Sequence, residues 1–158
     1  MLPEVQTYIE RLRALRGKTL EALEGEGARE LNWKPTKKDT NSLFVLATHL
    51  VGSERHWIQR VVGGRALERD RDAEFRARGT EATNFRTTFD DNARASEEIL
   101  ARLSDADLNA IRETSNYGAV SVRWCIVHLI EHFSEHVGHM QLTRQMWGEK
   151  AKSGKRKT

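Results

Sequence analysis

The 158-residue sequence has a single cysteine, Cys125. One cysteine excludes an internal disulfide framework and any Cys-x-x-Cys zinc site, and it fits a reducing compartment. Proline is almost as scarce, at two residues, which leaves long stretches without a helix breaker. Long apolar runs are missing as well. Hydrophobic residues make up 38%, and no stretch approaches the ~18 apolar residues that a membrane span needs. The most hydrophobic run, Trp124 to Ile130, is interrupted by His128. There is no Gly-rich phosphate loop, no internal repeat and no alternating strand pattern. The opening Leu2-Pro3-Glu4-Val5-Gln6 lacks the cationic start and apolar core of a secretory signal. The expectation is a cytoplasmic protein with no membrane partner.

Charge is abundant but nearly balanced, with 26 Lys+Arg against 23 Asp+Glu and a formal net charge of +3. The excess is local. Residues 150–158 hold Lys150, Lys152, Lys155, Arg156 and Lys157 and no acid; without them 21 basic residues face 23 acidic ones. The sequence therefore divides into a slightly acidic body, 1–149, and a basic tail, 150–158, expected to be disordered. A positive charge confined to such a tail gives little support to nucleic acid as a partner.

The body shows helical periodicity four times. A first helix opens at Pro3, where proline suits the first turn. Its stripe of Val5, Tyr8, Ile9, Leu12, Leu15, Leu20 and Leu23 stops at Gly25 and Gly27. A second helix is expected from the N-cap Ser42, through Leu43, Leu46, Leu50, Trp57 and Val61, to Gly63-Gly64. The charged connection Arg65 to Gly79 follows, with Leu67 and Phe75 as its apolar anchors. A third helix is expected over Glu81–Leu103, then a linker with a short turn at Asp105 to Ile111. A fourth helix is expected from Ser121 to about Trp147. Four helices of about 20 residues imply an all-α four-helix bundle.

Four of the six histidines, His128, His132, His136 and His139, lie within 12 residues of the last helix. Spacings of four, four and three put them along one face. Two His-x3-His pairs arise, His128 with His132 and His132 with His136, and either can aim two imidazoles at one ion. A catalytic ion needs a third protein ligand and an open position. The second helix offers His49 or His56, about 10 Å apart along the axis, so one ion would not take both. His49, among Leu46, Ala47 and Leu50, is favoured over His56. A di-iron bundle would place Glu three residues before His. Those positions are Leu46, Ser53, Cys125, Leu129, Phe133 and His136, so that chemistry is excluded. His-Glu-x-x-His is also absent.

Taken in order, several short motifs resemble the DinB/YfiT-like metal-binding four-helix family, including its mycothiol-dependent, maleylpyruvate isomerase-like branch and related thiol S-transferase branches. They are Leu31-Asn32-Trp33-Lys34-Pro35, Ser42 with Leu46-Ala47-Thr48-His49-Leu50, Glu54-Arg55-His56-Trp57, and Arg123-Trp124-Cys125-Ile126-Val127-His128 leading to Glu131-His132 and Glu135-His136-Val137-Gly138-His139. The resemblance implies a divalent metal, zinc or nickel, on His49, His132 and His136. In the mycothiol-dependent branch the middle ligand is typically Glu; this chain has His132, as in branches with three His. It also implies up-down-down-up helix order, with Arg65–Gly79 as a long crossover between helices 2 and 3, and a homodimer.

The function expected on these grounds is a metal-dependent thiol S-transferase or thiol-dependent isomerase. Three neutral imidazoles leave the charge of the ion uncompensated, which suits an anionic thiolate or hydroxide at the open position. The partners would be a low-molecular-weight thiol and a small electrophile. His128, one turn before His132, is the candidate catalytic residue, touching substrate or carrying a proton. Arg123 is a candidate for an acidic substrate group, against a role as surface charge. Cys125 reads better as a small core residue than as a catalytic thiol. The alternative function is a non-catalytic metal-binding protein of stress response or interaction, which a closed four-ligand site would favour.

Overall fold

The computed structural model describes residues 1–155, with side chains described through residue 153. The chain is mostly helical. In order it forms α1 (Pro3–Leu23), α2 (Ala28–Asn32), α3 (Leu43–Glu54), a π-helical segment (Arg55–Val62), α4 (Arg71–Arg76), α5 (Thr83–Leu100), α6 (Asp105–Asn109), the strands β1 (Ile111–Thr114) and β2 (Gly118–Ser121), and α7 (Val122–Lys155).

The local causes are readable in the caps. Pro3 opens α1, and Ser42 accepts the backbone N–H of Val45 at 3.3 Å to start α3. The α1, α3 with its π continuation, α5 and α7 segments enclose one core. Val5, Leu12, Leu31, Leu46, Leu50, Ile58, Phe89, Leu100, Ile126, Leu129 and Phe133 are all shielded from solvent. Cys125 is fully buried among them as a small apolar residue, and burial raises its thiol pKa.

Pairings at the helix ends fix neighbours. Arg123, near the start of α7, binds Glu4 at the start of α1 at 2.7 Å. Arg144, far along α7, donates to the carbonyls of Glu21 and Glu24 at the end of α1. Arg123 is therefore a helix-to-helix tie, with Asn109 as a further partner at 2.5 Å, rather than a free cation waiting for an acidic substrate.

Several boundaries differ from the sequence expectation. The linker between the first two long helices contains α2. The third helix is shorter at both ends, Thr83–Leu100, because Ala101 and Arg102 turn away after the last helical bonds. The segment read as lacking strands carries an antiparallel hairpin, β1 with β2, pairing Thr114 with Gly118 across a turn where Gly118 adopts φ 63°. The last helix does not stop at Gly148. It runs to Lys155, with Trp147 packed on Trp33 at 5.5 Å and Ser153 bonded to the Glu149 carbonyl. The expected tail thus overlaps this helix at 150–155, and 156–158 lie outside the described residues.

The π segment carries α3 on past His49 toward His128. A wider turn, closed by i to i+5 bonds, advances each residue by less than the about 100° of an α-helix. In a continued α-helix, His56 would share the azimuth of His49, seven residues earlier. The π turns bring Trp57 toward that face instead. Trp57 is buried against His128 on α7, with ring centroids 4.8 Å apart.

Candidate metal centre

His49 of α3 faces His132 and His136 of α7. The three imidazoles each offer a nitrogen, and these atoms lie within 4.8 Å of one another. His49 Nε2 and His132 Nε2 are 2.9 Å apart. The rings of His136 and His49 have centroids 5.2 Å apart, and those of His132 and His136 4.4 Å. The i, i+4 spacing on α7 is the local reason that His132 and His136 point the same way.

Protonation follows from burial. Burial, with His136, His49, His128 and Arg69 nearby, pushes His132 down to about 3. Burial, then His49 and His139, pushes His136 down to about 4. Both rings are neutral at pH 7, the state a metal ligand requires.

The connection between the π segment and α5 supplies what the sequence reading missed. Asp70 caps α4 by accepting the Ala73 N–H at 2.8 Å, and α4 turns Glu74 inward. One Glu74 oxygen lies 2.9 Å from His49 Nδ1. A carboxylate there accepts a hydrogen bond from Nδ1–H and leaves the Nε2 lone pair facing the cluster, the arrangement by which carboxylates orient metal-binding histidines. Arg69 holds Glu74 at 2.7 Å through both Nε and Nη2. Burial alone would raise the Glu74 pKa; its bonds to Arg69 and His49 outweigh that and hold it below the usual carboxylate range.

Gly52 makes this approach feasible, because a Cβ there would fall inside the Glu74 carboxylate. Ser53, one turn after His49, lies 3.2 Å from His132 Nε2. Its i, i+4 relation to His49 was a usable signal in the sequence. The acids at Asp70, Asp72 and Glu74 were another, since they read as a helix start.

The other candidates fall outside the cluster. His128 is half-buried and stacked on Trp124 at 4.7 Å and 7°, with Tyr117 of the hairpin turn 4.9 Å away. Its ring is 6.1 Å from that of His132. Burial lowers its pKa, so it is neutral at pH 7. His139 is exposed, with its Nδ1 3.3 Å from His136 Nδ1. His56 is not part of the group, and Glu131 and Glu135 are exposed.

On the His136 side a cavity of about 310 Å³ opens between the 35–41 loop and α7. Leu46, Leu142 and Met146 give it an apolar wall, and Thr36, Asp39, Thr40 and Thr143 add polar groups. Asp39 holds φ 58° in the turn that Thr36 and Thr40 tie together, a conformation that aspartate tolerates better than most residues.

Among the described residues, no helix is long and apolar enough to cross a membrane. The sequence model of the mycothiol S-transferase family matches residues 7–148. No curated protein matches the chain in sequence. Solved structures share the fold. A DinB-like protein from Bacillus cereus has a TM-score of 0.71 at 19% identity, covering 90% of this chain and 92% of its own. A conserved protein from Enterococcus faecalis has 0.71 at 14%, covering 92% and 98%. A DinB-like protein from Bacillus subtilis has 0.68 at 18%, covering 90% and 92%.

Proposed function

The chain belongs to the mycothiol S-transferase family within the DinB/YfiT-like proteins, and from that premise we propose that it is a divalent-metal-dependent thiol S-transferase. His49, His132 and His136 hold the ion, zinc or nickel. When bound, the ion supplies the positive charge that favours the anionic form of a thiol. The thiolate sulfur would then form a C–S bond to the electrophilic carbon of a small acceptor as that carbon's bond to its leaving group breaks, the leaving group departing with the bonding pair. The thiol proton goes to His128, whose neutral ring can accept it. Glu74 and Arg69 keep His49 in the right tautomer, and the cavity beside His136 receives the apolar part of a substrate. Helix order in this reading is up-down-down-up, with α4 carried on the crossover.

The observation that carries the proposal is the meeting of three imidazole nitrogens within 4.8 Å, one of them on His136, which also lines a cavity of about 310 Å³. An open side favours an enzyme over a closed structural site. Among the described residues no fourth His, Cys, Asp or Glu joins the three.

Metal analysis of the purified protein and of His49→Ala, His132→Ala and His136→Ala tests the site. One ion per chain in the parent and loss in the variants is expected; full occupancy in all three variants overturns it. A screen of low-molecular-weight thiols against a small electrophile tests the activity. Metal binding without conjugation for any thiol would leave a binding protein instead.

A further inference from the structure

Ser53 is 1% exposed, one helical turn beyond His49. A hydroxyl has one proton to give and two lone pairs to fill. Inside a helix the usual outlet for the proton is the carbonyl four residues back. Thr48, Thr88 and Ser134 each use it, at 2.8 Å. Ser53 instead points its oxygen at the imidazole cluster. That oxygen accepts from Arg69 Nη2 at 3.0 Å, so one lone pair is filled by a cation that is itself locked to Glu74. The remaining neighbours are His132 Nε2 at 3.2 Å and His49 Nε2 at 3.5 Å.

The proton of Ser53 can therefore go only to ring nitrogens of the cluster. Glu74 accepts a hydrogen bond from His49 Nδ1–H, so His49 Nε2 presents a lone pair, which Ser53 shares with His132 Nε2 at 2.9 Å. These are the lone pairs that an ion would claim. Once they are claimed, the hydroxyl keeps its Arg69 bond but loses its acceptors, and a buried donor without an acceptor is costly. An anion sharing the ion with the imidazoles restores one. A neutral ligand that uses its only available lone pair on the ion does not.

We infer that Ser53 is a built-in hydrogen-bond donor that selects a thiolate, over neutral ligands, as the companion of His49, His132 and His136. Arg69 positions the hydroxyl by occupying its acceptor side. This rests on the metal-dependent reading above and assigns that site a residue that determines ligand preference.

The test uses the full chain loaded with cobalt(II). Bound cobalt is measured per chain. 2-Mercaptoethanol and imidazole are then titrated separately, read by the sulfur-to-cobalt absorption and the visible cobalt bands. Ser53→Ala is expected to retain cobalt and to bind imidazole as the parent does. It should bind 2-mercaptoethanol about tenfold more weakly, the scale of one hydrogen bond to a charged group. The isosteric pair Ser53→Thr and Ser53→Val repeats the comparison at constant shape, with parent-like thiol binding for Thr and the weakened value for Val. Unchanged thiol affinity in the Ala and Val variants overturns the inference, as does equal loss for both ligands or loss of cobalt. A parent protein that takes up no cobalt, zinc or nickel refutes the metal reading itself, whereas a loaded Ser53→Ala with parent-like thiol binding refutes the inference alone.

Discussion

His49 differs from the other two imidazoles in having a dedicated carboxylate. Glu74 meets its Nδ1 at 2.9 Å, and loss of such a partner typically lowers metal affinity 10–100-fold. Glu74→Gln keeps an acceptor but removes the charge, so a fall of about tenfold in zinc affinity is expected, read by titration against a competing chelator. Gly52→Ala should produce a similar fall through a different cause, because its methyl displaces the Glu74 carboxylate. Parent-like affinity in both variants would show that Glu74 does not orient His49. At this scale the sequence exposed half of the residues that meet in the histidine cluster. His132 and His136 were visible through their spacing, and His49 through its apolar neighbours and the family motif. Glu74 and Arg69 were hidden because they sit 20 to 25 residues along the chain from His49 and reach it only through tertiary folding of the connection that carries α4. A run of charges such as Arg69-Asp70-Arg71-Asp72 looks solvated until that return is known.

Among the elements, punctuation was legible and deformation was not. Pro3, Ser42 and the Gly63-Gly64 pair mark helix limits by local chemistry, and each acts near its expected position. The π segment leaves no local mark. Its turns bury Trp57, Ile58 and Val62 in the core, a placement that local sequence does not announce. The hairpin escaped notice because its strands carry no apolar–polar alternation: β1 has Ile111 as its one apolar residue, and β2 runs from two exposed to two half-buried positions. That hairpin has a consequence for His128. Tyr117 at its turn lies over the ring at 4.9 Å, while Trp124 covers it by stacking. Tyr117 is itself 49% exposed, so its removal should cost less than about 1 kcal/mol of stability. Tyr117→Ala is therefore expected to melt close to the parent while His128 reacts several-fold faster with diethylpyrocarbonate. Mass-spectrometric mapping of the carbethoxylated site checks this, and an unchanged rate at His128 would mean that the hairpin does not shield it.

At the scale of the whole molecule, a buried charge network joins three helices. Arg16 of α1 binds Glu54 at the end of α3 at 2.6 Å, with side chains 6% and 0% exposed. It also reaches Glu97 of α5 at 3.0 Å, and Arg13 adds a second cation to Glu97. Removing one partner of a buried pair strands the other, at about 3–5 kcal/mol. Glu54→Ala should therefore be strongly destabilising, whereas Arg16→Met with Glu54→Leu should recover most of the loss, because the paired charges contribute little net stability once their desolvation is counted. Urea denaturation of the two variants separates these outcomes; equal losses would show that packing, not charge, dominates there. The more exposed end of the network gives a pH signature. Burial raises the Glu97 pKa, but Arg13 and Arg16 outweigh it and leave the group below its ordinary value of 4.5. A carboxylate depressed on folding contributes stability that is fully present above its unfolded pKa and disappears as the pH falls through the folded one. The parent should therefore hold the Glu97 contribution from neutral pH down to about 5 and lose it progressively below 4.5. Glu97→Gln should be less stable than the parent at pH 7, and the gap should narrow as the pH drops below 4.5. Denaturation midpoints at the two ends of that range decide it, since a gap that stays constant would mean that Glu97 is not ionised in its pair.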